Sequence, residues 1–332
     1  MKKFKKHFLP LESNGAYLFF IFIMIAALIV SIAISIVLGS VDIKFGDVVG
    51  FLANKISGMR VVVPTWDSSI ESIIWDIRTP RVLTAFIVGA GLTLCGIVMQ
   101  ALTKNTLADP YVLGISQGAS SGAVFMIMYG SMFFYGQYGT VLGAFIGAVI
   151  SIVIALQIAK IRNKVTATQL ILAGIAVAAM FGALTNIMIY LQRTGSDKVK
   201  TAQYWMMGSL SGSTWERLVY VAIVFALCFI VIYAIRKMLD AMLLGDDVAL
   251  TLGVNTGRLK LIMILVTTLL TGAIVSISGV IGFVGLTIPH ITRSVVGSKH
   301  TRLIPADTLV GGTFLVLADV ISRVIISPEE LP

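Results

Sequence analysis

The sequence predicts an all-α protein that crosses a membrane many times, and three observations carry the prediction. Of its 332 residues 57% are hydrophobic and 12% charged, where a soluble domain carries about a quarter charged residues. The chain repeatedly runs close to twenty residues without a charge, the length that crosses a bilayer as a helix. In lipid every backbone donor and acceptor has to be satisfied within its own segment, so these runs are helices. No stretch has the composition of a water-soluble domain, and residues 1–332 read as one transmembrane domain.

Nine spans follow in order: 17–39, 82–102, 111–129, 139–159, 168–191, 218–235, 259–277, 280–296 and 303–326. The first follows Lys2, Lys3, Lys5 and Lys6 and could be a signal peptide. Its 23-residue apolar run is too long for that, and no A-x-A site follows, so it reads as an anchor. After it, Phe45, Val48, Val49, Leu52 and Ile56 stand at helical spacing and suggest a short amphipathic helix on the membrane surface. In the third span Gly114, Gly118 and Gly122 recur every four residues, as do Gly143 and Gly147 in the fourth, the pattern of closely packed helices. Gly279, Gly282 and Gly285 precede Pro289, so the eighth span reads as short and weakly helical in its outer half. A broken helix is tolerated at membrane depth where protein or a cavity satisfies the freed backbone.

Orientation comes from Lys and Arg. With the N-terminus inside, 15 of the 25 lie on the cytoplasmic face, as the positive-inside rule requires. Asp and Glu divide 6 inside and 10 outside, which puts the whole net charge of +9 on the inner face. That asymmetry accounts for the basic balance without a nucleic-acid partner.

Absences narrow the function. The middles of the spans hold essentially no carboxylate or histidine, which argues against a secondary carrier driven by a buried proton or sodium relay. No clustered His, Cys or carboxylate set suggests a membrane-embedded enzyme, a metal site or a cofactor. Cys95 and Cys228 lie in different spans without metal-ligand spacing, and His290 reads as structural. The sequence G-x-x-x-x-G-K-[ST] is absent, so the chain has no P-loop of its own. What stands out is the polar run LGDDVALTLGVNTGRLK, residues 244–260, on the inner side between two apolar spans. It reads as a short helix bracketed by Gly245 and Gly253, and suggests a docking site for a partner that stays in water.

Five segments closely resemble the FecCD-type permeases: RTPRVLTAFIVGAGLTLCGIVMQALTKNTLADPYVLGISQGAS (78–120), YWMMGSLSG (204–212), LGDDVALTLGV (244–254), GFVGLTIPHITR (282–293) and LADVISR (317–323). Those proteins are membrane subunits of ABC importers for iron-siderophores, haem and cobalamin. The resemblance implies a ten-helix bundle that pairs with a second permease subunit in the bacterial cytoplasmic membrane, a homodimer or a heterodimer. It also implies substrate delivery by an extracytoplasmic binding protein and ATP hydrolysis by separate cytoplasmic subunits. A ferric siderophore is the expected cargo, with haem and cobalamin as alternatives.

Residue by residue, the resemblance makes Leu244, Gly245, Asp246, Asp247, Leu252, Gly253 and Val254 part of a coupling helix for the ATPase. Arg78, Arg81 and Arg323 match arginines that engage acidic residues of the binding protein, with local pairs to Asp76 or Asp319 as the competing account. Asn105 with Leu107, and Ala167 with Thr168, align with the cytoplasmic gate. Here NTLADP stands where the family has NPLADP, so Thr106 replaces a proline, and Ala167 replaces a hydroxyl. The chain ends at Glu329, Glu330, Leu331 and Pro332, where relatives continue into a tenth helix, so nine of an expected ten spans are visible and the missing one reads as a truncation.

Overall fold

A computed structural model describes residues 11, 13–39, 41, 43–59, 61–130, 137–160, 166–192, 196–326, 330 and 331, with Ala167 described by its backbone. The expectations for Lys2, Lys3, Lys5, Lys6, Glu329 and Pro332 lie outside these residues. Among the described residues the fold is all-helical, without strands.

Among the described residues seven helices are long and apolar enough to cross a bilayer. They are α1 (Asn14–Val37), α4 (Thr79–Thr103), α6 (Gln137–Ala159), α7 (Ala167–Tyr190), α9 (Trp215–Ala234), α12 (Thr256–Ser278) and α14 (His300–Val324). Each covers an expected span to within three residues, because the apolar runs set the helix centres and local caps set the ends. Thr166 accepts from Gln169 N–H at 3.3 Å while Gln169 Oε1 accepts from Thr166 N–H at 3.2 Å, a reciprocal box that starts α7. Asn255 starts α12 by accepting from Arg258 N–H at 3.0 Å.

The third and eighth spans differ from the expectation in form. The third is a 3₁₀ turn (Pro110–Leu113) followed by α5 (Ile115–Tyr129), broken at Gly114, whose φ of +79° favours glycine. The eighth begins irregularly and becomes helical only in α13 (Val284–Val296). Gly279 ends α12 with φ +66°, and Phe283 adopts φ +67° immediately before α13. Both helices, at 15 and 13 residues, are shorter than a full span. The irregular stretch is held by protein: Tyr111 donates to Ile281 O at 2.8 Å, and Ser209 N–H donates to Ser278 O at 2.8 Å.

Shorter helices complete the chain: α2 (Phe45–Ser57), α3 (Ser68–Ser72), α8 (Asp197–Met207), α10 (Arg236–Leu243) and α11 (Asp246–Thr251). A π-helical turn (Ile73–Arg78) joins α3 to α4. In α2 Val48 and Phe51 are buried while Phe45, Val49 and Ile56 stay exposed, the two-faced pattern of a surface helix.

Helix α4 is the centre of the bundle. In the continuous run Ser68–Thr103, 83% of the most apolar window is enclosed against 17% in α1, so α4 is walled by protein and α1 faces outward. It packs on α9, α12, α13 and α14. Glycines let the backbones meet. A Cβ on Gly122 would lie 2.0 Å from Gly143 O, and one on Gly118 would lie 2.4 Å from Gly147 O, so the α5–α6 seam admits no side chain.

The middles of the spans are expected to hold essentially no carboxylate; toward the two ends of α14 the fold encloses two, Asp319 and Asp307. Asp307, in the inner part of α14, is fully buried. It follows the charged run KHTR, which reads in sequence as loop, yet α14 already begins at His300.

Candidate functional site

The polar run 244–260 forms the short helix α11, and a second short helix, α10, precedes it. Helix α10 leaves α9 at Arg236, whose guanidinium sits 4.2 Å from the Tyr233 ring centroid, and buries Leu239 and Met242. Chain reversal into α11 occurs at Gly245, with φ +120° and ψ 152°, and the exit occurs at Gly253, with φ +81°. A Cβ at either glycine would meet nothing within 4 Å, so backbone angle and not space demands them. Only Ala249 of α11 is buried. Leu244, Val248, Leu250 and Leu252 are exposed at 42 to 68%, an apolar surface on a helix flanked by charge.

Asp246, the first residue of α11, joins this hairpin to the bundle. Lys260, in the first turns of α12, donates to its Oδ2 at 2.5 Å, and Lys104 Nζ lies 2.8 Å from its Oδ1. The Lys104 contact is an ion pair without directed hydrogen-bond geometry. Lys104 and then Lys260 hold the Asp246 carboxyl below the usual carboxylate range. Asp247 is exposed beside it.

Lys104 is also the residue that ends α4, in the left-handed region at φ 53°. The next residue, Asn105, turns the chain by accepting from Leu107 N–H at 3.0 Å, and Leu107 is 61% exposed. Ala167 and Thr168 open α7. No hydrogen bond or ion pair joins the two gate segments among the described residues. They are linked through the 3₁₀ turn, where a Cβ on Gly174 of α7 would meet Val112 O at 2.3 Å.

At the opposite end Arg78, Arg81 and Arg323 converge, with exposures of only 3 to 6%. The structure turns their donor forks inward. Arg78 donates to Ile36 O, Val37 O and Val41 O at 2.5 to 2.7 Å. Arg323 donates to Ser35 O and Leu38 O, both at 3.2 Å, and to Ser35 Oγ at 2.5 Å. Cations at the unsatisfied carbonyls that end a helix are favourable, so the two residues fasten the outer end of α1. Asp319 lies between Arg81 Nε at 2.9 Å and Arg323 Nε at 3.1 Å. Arg81 also holds Glu330 at 2.7 Å, whose side chain is one-third exposed. Asp319, one of the two local partners anticipated, is thus engaged. His290 is exposed, whereas His300, which the sequence did not single out, is fully buried and pairs with Asp240 of α10 at 2.6 Å.

The FecCD transport family model matches residues 27–332, nearly the whole chain. The chain belongs to the FecCD transport family. A FecCD permease is the membrane component of an ABC importer, and similarity to individual members is high throughout. The molybdate import system permease protein MolB of Haemophilus influenzae is 31% identical over 92% of this chain and 87% of its own length. The probable siderophore transport system permease protein YfiZ of Bacillus subtilis is 37% identical over 78% of this chain and 77% of its own. A solved ABC transporter described as of metal-chelate type, in an inward-facing conformation, superposes with a TM-score of 0.81 at 30% identity, covering 94% of this chain and 92% of that one. This FecCD permease is therefore a multi-pass membrane protein of known architecture, with α11 as a polar helix between two of its spans.

Proposed function

We propose that this permease carries a ferric siderophore across the bacterial cytoplasmic membrane. In this reading it acts with a second permease subunit, separate ATPase subunits at the face that bears α11, and a binding protein at the end that bears Arg78, Arg81 and Arg323. The observation that carries the reading is Asp246, which connects an exposed apolar helix to the end of α4. A partner seated on Leu244, Leu250 and Leu252 would move α11 as a unit, because Gly245 and Gly253 allow the chain to swing at both ends. Through Asp246 that motion reaches Lys104 and the adjacent gate residues Asn105 and Leu107, opposite Ala167 and Thr168. The N-terminus lies on the same inner side.

At the outer end the docking role falls to the shape that the arginines maintain. Arg78 and Arg323 hold α1, and Arg81 with the one-third-exposed Glu330 forms the rim that a binding-protein carboxylate could enter by competing for the guanidinium. The siderophore assignment draws support from the YfiZ likeness, while the MolB likeness offers a smaller oxyanion as the competing cargo.

Reconstitution in liposomes with the ATPase and binding protein provides the test. Uptake of ferric hydroxamate that depends on both partners supports the proposal. Uptake of molybdate, haem or cobalamin in its place would reassign the cargo, and uptake that persists without the ATPase would overturn the importer reading.

A further inference from the structure

Asp307 is fully buried in α14, and neither of its carboxylate oxygens has a hydrogen-bond partner among the described residues. An ionisable side chain enclosed without donors is costly, and within a membrane domain it calls for a functional account. Across the packed contact between α13 and α14, two consecutive residues are in a related state. The Thr292 hydroxyl and Arg293 Nε are buried without partners, and both residues lie within reach of Asp307.

In this conformation Arg293 spends its charge elsewhere. Its Nη2 donates to the neutral Oε1 of Gln100 on α4 at 3.0 Å, while Gln100 Nε2 donates back to Leu286 O of α13 at 3.3 Å. A charged donor thus rests on an amide while a carboxylate one helix away has no charged donor and only the Thr292 hydroxyl within reach.

Helix α13 is built to shift. It is 13 residues long, is preceded by the irregular segment with Gly279 at φ +66° and Phe283 at φ +67°, and is followed by Gly297 at φ +89°. Pro289 interrupts its hydrogen-bond ladder. Against α4 it presents backbone: a Cβ on Gly96 would lie 1.8 Å from Gly285 O. At that point no side chain stands between the two helices, a contact that permits small sliding of one on the other.

We infer that Arg293 and Asp307 form an alternating ion pair of the transport cycle: in a second conformation α13 slides along α4 and hands the Arg293 guanidinium from Gln100 to Asp307. The inference rests on the importer reading above and adds to it a residue pair that positions α13 without touching cargo. Each state then satisfies one charged partner set, so the two conformations are distinct and not points on a continuum.

The near-isosteric variants Asp307→Asn and Arg293→Gln, singly and together, test it in the reconstituted complex with ATPase and binding protein. Each single change should lower transport per ATP hydrolysed about tenfold, within the range of known coupling factors. Basal ATP hydrolysis and the melting temperature should stay near wild type. The double variant should be no worse than the poorer single one, since both remove the same interaction. Effects that multiply in the double variant, or singles that transport normally, overturn the pair.

A second measurement does not depend on those variants. Spin labels at Thr106 and Ser294, both exposed, report the position of α13 against the end of α4. The distance should change when the wild-type complex is trapped with vanadate, and Asp307→Asn should hold it at the nucleotide-free value. An unchanged wild-type distance overturns the inference. A wild-type complex that neither transports nor hydrolyses ATP in response to loaded binding protein would instead count against the importer reading.

Discussion

The carboxylate of Asp246, at the start of α11, stands 2.8 Å from the ammonium of Lys104, at the residue that ends α4. One atom pair therefore spans the distance between the exposed helix α11 and the helix at the centre of the bundle. Asp246→Lys would gather three lysines where one carboxylate now joins two. Protein level in the membrane should be unchanged, while stimulation of ATP hydrolysis by loaded binding protein should drop about tenfold or more, as expected when a coupling contact becomes a repulsion. Normal stimulation would remove Asp246 from the coupling path.

The same contact carries a pH dependence of definite sign. Because Lys104 and Lys260 depress the Asp246 carboxyl below its ordinary value of 3.8, its ion pairs contribute above that value and are lost as pH falls through the lower folded one. Coupling through Asp246 should therefore be flat from neutral pH down to about 5. Asp246→Asn should reproduce the acid state at neutral pH. A wild-type coupling ratio that declines between pH 7 and 5 in step with the Asn variant would show that another group controls it.

Glycine positions separate cleanly by their surroundings. Gly122→Ala forces a methyl to within 2.0 Å of Gly143 O, whereas Gly15→Ala meets nothing within 4 Å. Overpacking at the first site should cost about 1–3 kcal/mol, visible as a lowered melting temperature in detergent. The second should be neutral or slightly stabilising, since alanine is favoured over glycine in a helix. Equal melting of the two variants would contradict the seam described between α5 and α6.

At the outer end, Asp319→Asn leaves two buried guanidiniums short of their shared carboxylate. Breaking a buried pair from one side costs about 3–5 kcal/mol, so this variant should lose more thermal stability than Glu330→Gln, since the Glu330 side chain is itself one-third exposed. Affinity for the binding protein, measured on the surviving folded fraction, distinguishes docking from fastening. If Arg81→Gln weakens capture while melting is little changed, Arg81 contributes directly to the rim. If the two effects move together, it acts through the shape of that face.

Much of this arrangement was legible in the sequence, for identifiable reasons. Uncharged runs locate α1, α4, α6, α7, α9, α12 and α14, since burial of apolar area in lipid is a property of composition. The bracket of α11 was legible because Gly245 and Gly253 mark positive φ. Helix α10 was not, because it is polar and follows α9 with no break larger than one residue. His300 and Asp240 are far apart in sequence, and nothing in either neighbourhood announces the other. The arginines were found as a group, but the direction of their forks depends on the carbonyls of α1, which only the tertiary fold brings near. Asp307 was hidden for a related reason: it sits beside charges that resemble a loop, and only the packing of α13 and α14 encloses it.

The central place of α4 has a consequence for how the protein is made. Apart from α1 and the π-helical turn, its main neighbours α9, α12, α13 and α14 lie later in the chain. When α4 enters the bilayer during synthesis, Thr84, Thr93 and Gln100, all buried in the finished bundle, still face lipid. The helix that ends most enclosed is thus among the first made, and its polar face gains its full set of neighbours only when α14 has joined the bundle.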